Sequence, residues 1–87
     1  AMKPGDAVRF YDDDNKVHHG RCLAVLGDEI LAEYRRPKRP FLFTAREREG
    51  RGDCEVVQKY TVSTLPRKWQ ILIQRRELHC QQPNQEG

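Results

Sequence analysis

Turn-forming residues recur along this chain about every 8–12 positions, and the stretches between them are short and rich in Val, Ile, Tyr, Phe and Thr. That rhythm points to a small barrel or sandwich of strands. Lys3-Pro4-Gly5-Asp6 is the first signal, because proline fixes φ and glycine supplies a positive one. Behind it residues 7–11 alternate, with Val8 and Phe10 on one face, which predicts a first strand. Asp12, Asp13, Asp14 and Asn15 then form a polar loop. Residues 17–26 predict a second strand, with Gly20 marking a bulge or a sharp bend at a barrel corner. Gly27-Asp28 closes a hairpin onto a third strand, where Ile30, Ala32 and Tyr34 alternate with Leu31, Glu33 and Arg35.

Pro37 and Pro40 interrupt the pattern, since neither has an N–H to give to a sheet. A fourth strand is predicted at 41–45, then a charged, Gly-rich loop at 46–53, then a fifth strand at 55–62. Leu65-Pro66 predicts one turn of 3₁₀ helix, followed by a short sixth strand through Gln70-Ile71-Leu72-Ile73. A helix from 67 to 79 is the alternative, because that stretch has no clean period of two. The fold class is therefore all-β, a small five- or six-stranded barrel. Its expected core includes Val8, Phe10, Cys22, Ala32, Val57, Ile71 and Ile73. The expected domain spans 3–80, with a polar tail at 81–87, and Ala1-Met2 reads as a cloning remnant.

A length of 87 residues suits one domain with a small core. Apolar residues are 37% and charged residues 33%, against averages of about 45–50% and about 25%. That balance fits a thin-walled barrel or a module of a larger protein. No apolar run approaches the ~20 residues of a membrane span, and no signal peptide opens the chain. Cys22, Cys54 and Cys80 are an odd number at wide, irregular spacing, which is not a disulfide framework, so an intracellular protein with reduced thiols is expected. The net charge of +3 is mild but segregated: acid in Asp12, Asp13 and Asp14, base in Arg35, Arg36, Lys38 and Arg39. Opposite charges in separate loops predict a polarised surface.

Pro4-Gly5-Asp6, Val8 and Phe10, then Gly20-Arg21, Leu23 and Val25, the Gly27-Asp28 turn and Ile30-Leu31-Ala32-Glu33-Tyr34 together resemble the Tudor and KOW-like branch of SH3-like barrels. Thr64-Leu65-Pro66 resembles the short 3₁₀ turn of such barrels. The resemblance implies an SH3-like barrel that binds a protein or peptide. In its Tudor form the ligand carries a methylated lysine or arginine, as a histone tail does, and the parent protein is nuclear and chromatin-associated. Two features depart from that pattern. His18 and His19 stand where methyl readers carry an aromatic before the glycine of strand two, and the 46–53 loop exceeds a minimal Tudor hairpin.

Methyl-ammonium recognition needs ring faces around a weakly hydrated cation. Tyr11, Tyr34, Phe41 and Phe43 are the candidate walls, and Asp12 or Asp13 the carboxylate for a remaining N–H. The competing assignment puts Phe10, Phe43 and Tyr60 in the core and leaves Tyr11 and Tyr34 as packed rim residues. A nucleic-acid surface is the alternative function. Arg35, Arg36, Lys38 and Arg39, extended by Arg9, Arg21, Arg67 and Lys68, would follow phosphates while nearby rings stack on bases. The same basic segment also reads as a solvated loop or a localisation signal. A structural docking domain without a free ligand is the third reading.

No metal or other cofactor is expected. His18, His19 and Cys22, with His79 and Cys80, lack paired zinc spacing, and neighbouring strand residues point to opposite faces. No catalytic residue is expected either. Cys22 with His19 has no signal of an oxyanion hole, and no phosphate-binding glycine loop or His-Glu-x-x-His occurs. Arg51-Gly52-Asp53 spells an adhesion tripeptide by chance. The isolated domain is expected to be monomeric.

Overall fold

Strands form where the alternation is clean: β1 (Ala7–Tyr11), β2 (Val17–Leu26), β3 (Glu29–Tyr34), β4 (Phe41–Arg48) and β5 (Asp53–Tyr60). The computed structural model describes residues 2–36 and 40–75. Antiparallel pairing runs in chain order from β1 to β5, and a parallel contact of Phe10 with Cys54 closes the barrel. The result is a small closed barrel of the SH3-like kind with five strands. The 46–53 hairpin is shorter than expected, because β4 runs to Arg48 and β5 begins at Asp53. Among the described residues no helix is long and apolar enough to cross a membrane.

The interior holds Val8, Phe10, Cys22, Ile30, Ala32, Tyr34, Phe43, Ala45 and Cys54. Phe10 sits at its centre, with the Phe43 ring centroid 4.4 Å away and that of Tyr34 5.4 Å away. Gly20 marks no bulge. It pairs with Val8 in unbroken register. A Cβ there would meet the Glu33 carbonyl oxygen at 2.6 Å and the Phe43 ring at 3.3 Å, so glycine admits a close approach of strand and ring.

The bulges lie elsewhere. Cys22 pairs with Ala32 and Ala24 with Leu31, so Leu23 is an extra residue on β2. The insertion exchanges faces: Cys22 packs inside the barrel and Ala24 outside it. On β5, Val56 pairs with Ala45 and Gln58 with Thr44, which makes Val57 the extra residue. Val57 is 42% exposed and is not in the core, contrary to the alternation. Beyond it the faces have switched. Lys59 pairs with Phe43, on the side of the barrel's open end, and Tyr60 pairs with Leu42 on the outside.

The sixth strand is absent. Residues 67–75 form a helix, α1, instead. Trp69, Leu72 and Ile73 stand at i, i+3 and i+4, the spacing of one helical face, and Leu65 joins them from extended backbone just ahead of the helix. That face packs on Ala24 and Leu31 from outside the barrel, with Leu23, Leu42 and Tyr60 around them. The Pro66 carbonyl accepts from the Trp69 and Gln70 N–H groups, and the Gln70 side chain donates to the Leu65 carbonyl at 2.6 Å. Ile71 and Ile73 are consequently half-buried flank residues of a helix, not strand core. A 3₁₀ turn forms at Val62–Thr64, just ahead of the Leu65-Pro66 expected to carry it, and the Thr61 N–H donates to Thr64 Oγ1 at 2.9 Å. Residues 76–80 and the 81–87 tail lie outside the described residues.

Candidate functional site

One end of the barrel gathers the β1–β2 loop, the end of β3, the start of β4 and the end of β5. Tyr34 points inward from β3, and its hydroxyl lies 2.8 Å from His18 Nδ1. His18 Nε2 lies 3.2 Å from Asp14 Oδ1. A carboxylate only accepts, so Nε2 carries the proton, and in the neutral ring Nδ1 accepts from the tyrosine hydroxyl. The relay ties the acidic loop to the core. The backbone N–H of Lys16, and then His18, hold the Asp14 carboxyl below its usual range.

Phe41 opens β4 beside this relay, 5.2 Å from Tyr34 and 5.9 Å from Phe43 by ring centroids. The Lys59 ammonium lies 4.8 Å from its ring centre. The same ammonium is hydrogen-bonded to Asp12 and lies 3.9 Å from Asp13 Oδ2. The Lys59 hydrogen bond pulls the Asp12 carboxyl below 3.8, against the opposing effect of burial. A cation over a ring face, with carboxylates on its far side, is the arrangement that stabilises an ammonium group. It depends on the Val57 bulge, which turns Lys59 toward this end.

Two grooves of about 650 and 690 Å³ meet here and share Arg36, Pro40, Phe41 and Thr61. The first continues over Leu42 and Val62, the latter 79% exposed, and the second over Asp12, Asp13 and Lys59. The mouth thus sets Asp12, Asp13 and Lys59 at one side and an apolar surface at the other, with Arg36 shared by both.

Three of the four expected ring walls come together and the fourth does not. Tyr34, Phe41 and Phe43 surround Phe10, but Phe43 is fully buried and Tyr34 exposes little beyond its edge. Phe41 alone of the three is only partly buried. Tyr11 faces outward from β1 into a separate cleft with Arg9, Arg48 and Arg51. Asp12 and Asp13 do reach the mouth. Lys59, Pro40, Thr61 and Val62 were not foreseen. Lys59 gives no sign in a period of two, because the bulge reverses its side.

The basic residues are dispersed. Arg35 pairs with Glu33 at 3.2 Å, and the Arg36 guanidinium stands 5.8 Å from the Tyr34 ring centre. Lys38 and Arg39 lie outside the described residues. Arg67 and Lys68 are exposed on α1, with the Lys68 ammonium 5.7 Å from the Trp69 ring centre. Arg9 and Arg21 lie on the outer face of β1 and β2.

His18, His19 and Cys22 do not converge. His18 joins the Tyr34 relay, His19 is exposed opposite Arg9, and Cys22 is inside the barrel. Among the described residues no group of three or more His, Cys, Asp or Glu is placed to hold a metal ion. Cys22 and Cys54 are both buried. Burial, and then Glu47, push the Cys54 thiol up, which keeps it protonated. His79 and Cys80 lie outside the described residues. Asp53 of the Arg51-Gly52-Asp53 tripeptide is buried.

No family model, curated protein or solved structure matches this chain. Its class rests on the fold: a small closed SH3-like barrel with one helix on its flank.

Proposed function

We propose that this barrel is a Tudor-like recognition module for a protein or peptide ligand, and that its mouth takes a lysine side chain. One observation carries the reading: the chain's own Lys59 ammonium rests between the Phe41 face and the Asp12 and Asp13 carboxylates. What holds that ammonium would hold a ligand's. The apolar shelf of Pro40, Leu42 and Val62 beside it gives the flanking peptide a surface to cover. A single open ring face and two carboxylates favour an unmodified or monomethylated lysine, which keeps N–H groups to donate. A trimethylated one would need more walls. A histone tail within a nuclear, chromatin-associated assembly is the setting this chemistry suits.

Lys59 must swing aside for the ligand to enter. Lys59→Ala therefore tightens binding of lysine peptides several-fold, and Phe41→Ala abolishes it. Isothermal titration with unmodified, monomethylated and trimethylated peptides checks both. Equal affinity of the wild-type chain and both variants for every peptide would remove the mouth as the binding site.

A further inference from the structure

A second face of the barrel carries a different charge. Arg9 and Tyr11 stand on the outside of β1, alternating with the buried Val8 and Phe10. The parallel contact of Phe10 with Cys54 brings the β4–β5 turn beside them. Gly50 and Gly52, at φ of 73° and 70°, let that turn fold tightly between Arg48 and Asp53. Arg9, Tyr11, Arg48 and Arg51 thus line one cleft of about 640 Å³.

The charge in this cleft is not balanced internally. Arg9 and Arg51 make no ion pair among the described residues, and Arg48 has Asp53 at 3.7 Å. Asp12 and Asp14 of the neighbouring loop are engaged by Lys59 and His18. Arg21, likewise without an ion pair among the described residues, pairs with Ala7 across the β1–β2 ladder and extends the basic stripe past Arg9. The buried Asp53 also lines the cleft, and its Oδ1 has no hydrogen-bond partner. Bare phosphate would meet the arginines but leave that acceptor unsatisfied. A nucleobase brings both a ring and an N–H donor.

We infer that this cleft binds single-stranded nucleic acid, with Arg9 and Arg51 on phosphates, Tyr11 stacked on a base and Asp53 accepting from a base N–H. The inference is independent of the mouth and moves the nucleic-acid surface away from the 35–39 segment. An extended strand fits better than a duplex, because an exposed tyrosine can stack only on a base that is free of its own stack.

The test is fluorescence anisotropy of the full chain with a labelled single-stranded cytidine oligonucleotide, from about 25 to 200 mM salt. Binding is expected at low salt and falls as salt rises. Arg9→Ala with Arg51→Ala lowers the slope of log K against log salt by about 1.4, at ~0.7 for each phosphate contact. Tyr11→Ala weakens binding about tenfold with the slope kept, in line with the loss of one stacked base. Phe41→Ala leaves binding unchanged, which separates this site from the mouth. No binding at low salt would overturn the inference. So would equal competition by polyglutamate, which assigns the face to acidic proteins, or loss of binding on Arg35→Ala with Arg36→Ala in place of the cleft variants.

Discussion

The barrel interior and the layer beneath α1 are both apolar and both buried, but they are assembled by different rules. Inside, residues come from strict alternation: Val8 and Phe10, then Ile30, Ala32 and Tyr34, then Phe43 and Ala45. Outside, Ala24 is delivered by the Leu23 bulge, Leu65 by the extended link ahead of α1, and Trp69 by a change of period from two to 3.6. β3 belongs to both layers, with Ile30 and Ala32 facing in and Leu31 facing out. A barrel of five short strands has little interior to fill. Covering its outer face with a helix gives the chain a second place to bury apolar surface.

Truncating the side chain at the centre of each layer distinguishes the two. Phe10→Ala removes a fully buried ring in contact with four others and is expected to cost about 4–5 kcal/mol, measured by urea denaturation. An unchanged midpoint would contradict the central place given to Phe10. Trp69→Ala, on the flank, is expected to cost about 3 kcal/mol and to leave one cooperative transition. Two separated transitions would show that the helix layer is an appendage and not half of the core.

The interior was legible because alternation is a local property. Val8, Phe10, Cys22 and Ala32 followed from counting by two, and all four are fully buried. The helix layer was harder to read. Ile71-Leu72-Ile73 looks like a strand on its own, and the helical face appears only when Trp69 is counted with Leu72 and Ile73. Val57 was misplaced for a related reason: a bulge adds one residue, and every later residue changes sides. That one residue also hid Lys59, the group that completes the mouth. Tyr34, Phe41, Asp12 and Asp13 were legible as mouth residues because they end or begin strands at one end of the barrel. Tyr11 is one position beyond Phe10 and therefore faces the other way.

Smaller effects sharpen the contrast between the interior and the mouth that caps it. Tyr34→Phe keeps the packed ring but takes the hydroxyl from His18 Nδ1, at an expected cost of about 1–2 kcal/mol in thermal or chemical unfolding. A neutral result would mean that water serves His18 equally well. The smallest effect is electrostatic. The folded Asp12 carboxyl titrates below its ordinary 3.8, so the stability it contributes is present above that value and is lost as pH falls through the lowered one. Both partners touch solvent, so the pair contributes only ~0.5 kcal/mol. The thermal midpoints of the wild-type chain and Lys59→Met should differ slightly at pH 6 and converge as pH falls through the lowered Asp12 value. A gap that persists in acid would assign the effect of Lys59 to packing on Phe41 instead of its pairing with Asp12.

The reading of the mouth as a lysine site is tested most directly by NMR chemical-shift mapping with a lysine-containing peptide and its lysine-to-norleucine counterpart, which keeps the chain but lacks the ammonium. Shifts are predicted at Asp12, Asp13, Lys59, Phe41 and Thr61 with the lysine peptide, together with displacement of the Lys59 side-chain signals from their ring-shifted position over Phe41. Norleucine should leave the acidic side of the mouth unmoved. Identical maps for the two peptides, or shifts confined to residues away from the mouth, would contradict the account.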